Sequence, residues 1–272
     1  MPQNDLKTSR MHKISEISFA GVYLLLPLMK HLPNALTLAN LFCGCCALLY
    51  TLYWQPEIAV MFTVGSFFFD YLDGMVARAL HISSPMGKEL DSLADVVSFG
   101  VVPGAMLFQL LSSSVCGNLW TAFSPASIQP QICLAALPAF VLSAFSGLRL
   151  AKFNLDARQA NYFIGLSTPA CTVFVLGLFF AAHYDRFGLK TVIENQWFLY
   201  TLILVLSWLL MSEIPMFGMK IKRLDRKSNV FFLVLLALFA VLIIVLKELA
   251  LSAIIVCYIV FSVIFKNKIT TT

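Results

Sequence analysis

Eight stretches of about 20 mostly apolar residues follow one another along this chain, and about 20 is the length a helix needs to cross the hydrocarbon core of a bilayer. They are Pro33–Tyr53, Glu57–Leu80, Pro85–Leu111, Gln131–Phe153, Ile164–His183, Gln196–Met216, Asn229–Leu246 and Glu248–Phe265. A soluble fold of 272 residues cannot bury that much apolar surface, since 60% of the residues are hydrophobic and only 12% are charged. Lipid can solvate it, provided every backbone group is paired within a helix. The expected class is therefore all-α, a polytopic membrane helical bundle. The last two stretches meet at Lys247-Glu248 in a very tight hairpin, which leaves six or seven spans open as alternatives.

The basic residues orient the bundle. With eight spans and a cytoplasmic N-terminus, sixteen of the nineteen Lys and Arg residues fall inside and only Arg186, Lys190 and Lys247 outside. Three segments follow. Residues 1–32 form a cytoplasmic N-terminal segment. In it Ile17 to Met29 is read as an interfacial helix or as a tail with a few apolar residues, and not as a signal peptide, because no small-residue cleavage site follows. Residues 33–216 hold six spans. Residues 217–272 hold the basic loop KIKRLDRK and a C-terminal hairpin, the loop being attracted to anionic lipid.

No contiguous basic face with interleaved aromatics is present, which excludes nucleic acid as a partner. Six of the seven cysteines lie inside apolar stretches and read as packing residues in lipid-embedded helices, and no paired CxxC or Cys/His array suggests zinc. His12, His31, His81 and His183 form no ligand set.

Acidic residues break the apolar pattern in one place. Asp70, Asp73, Glu89, Asp91 and Asp95 lie in the second and third stretches. A charge inside a span costs several kcal/mol unless it is paired or hydrated. Asp70 and Asp73 are i, i+3 and Asp91 and Asp95 are i, i+4, so each pair shares a helix face. The short turn near His81–Ser84 makes the two helices antiparallel, with both pairs about two turns from it. All four aspartates then meet near the cytoplasmic end, and Glu89 points elsewhere. Oxygen ligands of this kind suit Mg²⁺ or Mn²⁺, and four carboxylates suit two such ions. A structural charge network or an ion path is the other reading of the spacing. Gly74, Ala77 and Gly87 leave room beside the carboxylates for a ligand or a second helix. Arg78 is placed for an anionic phosphate or as an inner anchor. Ser84-Pro85 is a helix start, with Ser as cap and Pro in the first turn.

The stretch DYLDGMVARALHISSPMGKELDSLAD, Asp70 to Asp95, has the form D-x₂-D-G-x₂-A-R-x₈-G-x₃-D-x₃-D. With it go PNALTLANLFCG (Pro33–Gly44), DSLADVVSFGVVPG (Asp91–Gly104) and RLAKFNLDARQANYFIGLSTPA (Arg149–Ala170). These segments resemble the CDP-alcohol phosphotransferase family, and within it the phosphatidylserine synthase branch. Ser167 departs from the branch, which usually has Pro there.

The resemblance implies a six-helix core, here extended by about two C-terminal spans, working as a homodimer. It implies transfer of the phosphatidyl group of CDP-diacylglycerol to L-serine, with CMP as product and two divalent cations, Mg²⁺ or Mn²⁺. It implies that Asp70, Asp73 and Asp91 hold one ion, that Asp70, Asp91 and Asp95 hold the other, and that Asp95 is the general base. Asn34, Thr37, Gly74, Ala77, Arg78, Ser84 and Gly87 are then the CDP-lipid contacts. A serine acceptor carries a carboxylate, for which Arg149 and Lys152 are candidate partners. Glycerol 3-phosphate, inositol or inositol phosphate are alternative acceptors. A cation-coupled transporter is the alternative from another class, but it calls for a polar path across the membrane, and spans five, seven and eight carry almost no charge.

Overall fold

The computed structural model describes residues 31–82, 84–117, 133–156, 163–216, 242 and 244–264. The expected interfacial helix before residue 31, the basic loop and most of the stretch Asn229–Leu246 lie outside these residues.

The described chain is a bundle of apolar helices. In order they are α1 (His31–Leu52), α2 (Pro56–Ala79), α3 (Pro85–Cys116), α4 (Leu134–Leu155), α5 (Thr168–Tyr184), the short α6 (Lys190–Ile193), α7 (Gln196–Met211) and α8 (Ala250–Ile264). The first four, and the stretch Ile244–Ile264 that contains α8, are long and apolar enough to cross a membrane. The fifth and sixth expected spans are shorter helices than the hydropathy suggests. Their ends, Phe163–Ile164 (β1) and Pro215–Met216 (β2), pair instead as a two-residue antiparallel ladder. Gly165, at φ +74°, makes this turn possible. A Cβ there would stand 2.7 Å from the carbonyl oxygen of Ser212. At Lys247 the backbone turns to φ +45° and a 3₁₀ turn, Lys247–Leu249, leads into α8, a local irregularity within the stretch Ile244–Ile264.

α3 is the axis of the bundle. Its most apolar window is 78% buried, against 22% for α2, so α3 is shielded by protein and α2 faces lipid. Phe42, Met61, Phe68, Tyr71 and Trp208 are exposed around the outside, where acyl chains solvate them. The core lies at the far end of α3, with Met106, Leu107, Leu110 and Leu111 against Leu142, Phe179, Leu199 and Ile203.

The end of the bundle at Cys116 is fastened by polar groups. His183 and Tyr184 on α5 reach Glu57 on α2, at 3.4 and 3.1 Å, and Arg186 ion-pairs with Glu248 at 2.8 Å. Cys116 and Cys133 are joined in a disulfide across the α3–α4 connection. This corrects the reading of Cys133, which lies in the fourth apolar stretch, as a packing residue. The two are distant in sequence, but they flank one loop, and an antiparallel hairpin brings the ends of its helices together.

Candidate functional site

The opposite end of the bundle collects the start of α1, the end of α2 and the start of α3. Local sequence sets the turn there. His81 takes a left-handed φ of +54°, and the Ser84 hydroxyl accepts the Gly87 N–H at 2.9 Å, capping α3 ahead of Pro85. Such a cap contributes about 1 kcal/mol to the helix start. The turn brings Asp70, Asp91 and Asp95 together, with one carboxylate oxygen of each within 4.8 Å of the others. Asp73 stays on the same face but turns aside. Its Oδ2 accepts the Thr37 hydroxyl of α1 at 2.6 Å. Of the four predicted aspartates, three thus form one cluster and the fourth is tied to the first span.

A cleft of about 250 Å³ opens beside Asp73 and Asp91. It is lined by Asn34, Thr37, Gly74, Ala77, Ser84 and Gly87, all expected from the sequence, and by Lys88. At Gly87 a Cβ would lie 3.0 Å from both the Asn34 amide oxygen and the Ser84 hydroxyl, so the glycine leaves room beside them. Arg78 lies at the exposed end of α2, with its Nε–H donated to the Gly74 carbonyl at 2.9 Å. Glu89 is exposed and takes no part.

The two candidate acceptor cations part company. Lys152 lies at the surface, 3.5 Å from Glu213. Arg149 is buried, with its guanidinium over the Phe153 ring and its Nε without a hydrogen-bond partner among the described residues. Asp95, Cys171 and Tyr258 are its electrostatic neighbours, and Tyr258 comes from α8. Asn154 holds this end of α4 to α3 by donating to Ser92 at 2.7 Å, one residue beyond Asp91. Ser167 is the N-cap of α5 and accepts the Ala170 N–H at 3.3 Å, so this departure from the branch pattern serves as a helix start.

A divalent cation fits this donor set. The candidate ligands are hard oxygens, and Asp91 Oδ1 and Asp95 Oδ1 are buried without a hydrogen-bond partner among the described residues. Three carboxylates crowded in an apolar bundle repel one another, and a cation among them offsets that cost.

Residues 30–212 match the family model described as CDP-alcohol phosphatidyltransferase. The chain belongs to that family. The CDP-diacylglycerol–serine O-phosphatidyltransferase of Mycobacterium leprae is 32% identical over 238 residues, covering 85% of this chain and 72% of the relative. Proteins of the same name from Bacillus subtilis and Saccharomyces cerevisiae are 33% identical over 141 residues and 34% over 164. They cover 52% and 54% of this chain, and 71% and 53% of their own lengths. The matched region holds every aspartate of the cluster and the whole cleft. α8 lies beyond it.

Sequence reasoning missed three groups that bear on this site: Asn40, Ser66 and Ser98. Each is a buried polar side chain one helical turn from Thr37, Asp70 or Asp95. That spacing was the available signal.

Proposed function

We propose that this chain transfers the phosphatidyl group of CDP-diacylglycerol to L-serine, giving phosphatidylserine and CMP. The observation that carries the reading is the convergence of Asp70, Asp91 and Asp95 beside a cleft bounded by the family's own motif residues. The serine acceptor follows the relatives' shared name and the buried cation Arg149 beside Asp95.

In this reading Asp70, Asp91 and Asp95 hold divalent cations, with Asp73 joining them on leaving Thr37. The ions are Mg²⁺ or Mn²⁺, and when bound they neutralise the diphosphate and stabilise charge on the departing nucleotide. Asn34, Thr37, Gly74, Ala77, Ser84 and Gly87 cradle the CDP-lipid, and Arg78 lies at its phosphate side. Arg149 binds the serine carboxylate, which turns the hydroxyl toward Asp95. Asp95 accepts the hydroxyl proton as the serine oxygen attacks the lipid-side phosphorus. The bond from that phosphorus to the bridging oxygen breaks, and CMP leaves with the electron pair. Lys152, paired with Glu213, is left to the surface.

The site end faces the cytoplasm of a cell membrane. Sixteen basic residues support that orientation, and so does a disulfide at the other end, since disulfides persist in oxidising compartments. Residues 33–216 are the catalytic core and residues 217–272 an added hairpin. The protein works as a homodimer, which cross-linking in native membranes checks directly.

The decisive assay is CMP release by purified protein given CDP-diacylglycerol and Mg²⁺ or Mn²⁺, with L-serine, inositol or glycerol 3-phosphate supplied separately. Release only with serine, lost in Asp95→Asn, supports the reading. Release with another acceptor keeps the chemistry and removes serine. No release from folded protein removes both.

A further inference from the structure

Beneath the carboxylates lies a second polar layer. Asn40 on α1 is fully buried, and Ser66 on α2 and Ser98 on α3 are each 1% exposed. Ser66 donates to the Asn40 carbonyl at 3.2 Å. Ser98 donates to the Asn40 side-chain oxygen at 2.8 Å, the shorter of its two contacts with that residue, the other being the main-chain carbonyl at 3.3 Å. Each of the three sits one turn deeper in the bundle than a site residue: Asn40 after Thr37, Ser66 before Asp70, Ser98 after Asp95. The backbone is built to allow the meeting. A Cβ at Gly44 would stand 3.1 Å from the Cα of Ser98, so only glycine admits α3 this close to α1.

Ser98 lies in a wide turn, the π-helical stretch Val97–Val101. Such turns shift the register of a helix and are frequent at functional sites. Here the shift lets the first half of α3 present Asp91 and Asp95 to the cleft end while the second half presents an apolar surface to the core. The wide turn is clamped from three sides. The Ser143 hydroxyl of α4 donates to the Gly100 carbonyl at 2.8 Å, and the Thr172 hydroxyl of α5 donates to the Phe99 carbonyl at 3.1 Å. Asn40 supplies the clamp nearest the carboxylates. Its Nδ2 has no hydrogen-bond partner among the described residues, although the residue is fully buried.

We infer that the Asn40 side chain is a positioning group for the metal centre: through Ser98 it fixes the π-helical turn that aims Asp95, while the main-chain carbonyl of the same residue receives Ser66 of α2 below Asp70. The inference rests on the metal reading above. Nothing in it requires Asn40 to touch metal or substrate.

The test is Mn²⁺ binding to detergent-purified protein, followed by titration calorimetry and by the spin resonance of free Mn²⁺, beside the melting temperature in chelator. Groups behind the ligands of a metal set its affinity by about 10- to 100-fold. Asn40→Ala and Ser98→Ala are therefore expected to weaken Mn²⁺ binding at least about tenfold. Thr51→Ala serves as control. It deletes another buried hydroxyl of α1, bonded only to the Ala47 carbonyl, and leaves Mn²⁺ affinity unchanged. Unchanged affinity in Asn40→Ala and Ser98→Ala, with melting temperature lowered as in the control, overturns the inference and makes the layer plain packing. Should Asn40→Ala not fold, the single hydroxyl lost in Ser98→Ala decides alone. Wild-type protein that binds no Mn²⁺ overturns the metal reading itself, which is a different result from equal affinity in wild type and variants.

Discussion

Within α3, the stretch Pro85–Val96 carries Asp91 and Asp95 and buries only Ala94, whereas Val102–Cys116 is buried at every position from Val102 to Ser112. Both halves belong to one apolar helix in one membrane. The first half leaves room beside its carboxylates, at Gly87 and along the cleft. The second half leaves none, and meets α4, α5 and α7 through aliphatic side chains. The contrast separates chemistry from stability along a single element. In the proposed reading charge is tolerated where water, metal and substrate reach it, and the apolar half holds the helix so that the polar half needs no packing of its own.

Four measurements test how complete that separation is. The largest effect is expected from metal removal. Chelation should abolish CMP release, and Mg²⁺ or Mn²⁺ should restore it, with no loss of helical circular dichroism. A chelated enzyme that keeps its rate would break the comparison at its polar end. Next, Asp91→Asn should lower the rate by about 10²–10³-fold, as loss of one charge-stabilising group does, while raising the melting temperature in chelator because one uncompensated charge has gone. A variant that is inactive because it unfolds would show that this half does carry stability.

The apolar half should behave in the opposite way. Leu107 is fully buried, and Leu107→Ala should cost about 2–5 kcal/mol, read as earlier unfolding in denaturant. The molecules that remain folded should keep their KM for both substrates. A shifted KM would mean that strain passes through the π-helical turn. The smallest effect is expected at the α5 cap. Ser167→Ala should cost about 1 kcal/mol by melting, with the acceptor preference intact. A changed preference there would make the branch departure at Ser167 functional after all.

Much of this was legible along the chain. Span positions followed from hydropathy, to within a few residues for α1 and α2, because the bilayer fixes the length of an apolar helix. The face shared by Asp91 and Asp95, and the cap at Ser84, followed from the period of one helix and the chemistry of its first turn. Other features stayed hidden. The β1–β2 pair shortened two spans, since six apolar letters before α5 and after α7 read alike whether helical or extended. Hydropathy passed over Asn40, Ser66 and Ser98, because single polar residues in an apolar window hardly change its mean.

By itself the sequence determined that the chain is a membrane-embedded helical bundle, that its carboxylates gather at one end, and which family it resembles. These are local properties: side-chain polarity and spacing repeat every 3.6 residues within one helix, whatever its neighbours do. Only the tertiary structure decided that Asp70, Asp91 and Asp95 converge while Asp73 turns to Thr37. It alone separated buried Arg149 from surface Lys152, joined Cys116 to Cys133, and set a π-helical turn on Asn40. Those outcomes depend on the depth and rotation of each helix against the next. Packing many side chains at once sets both, and no single segment encodes them.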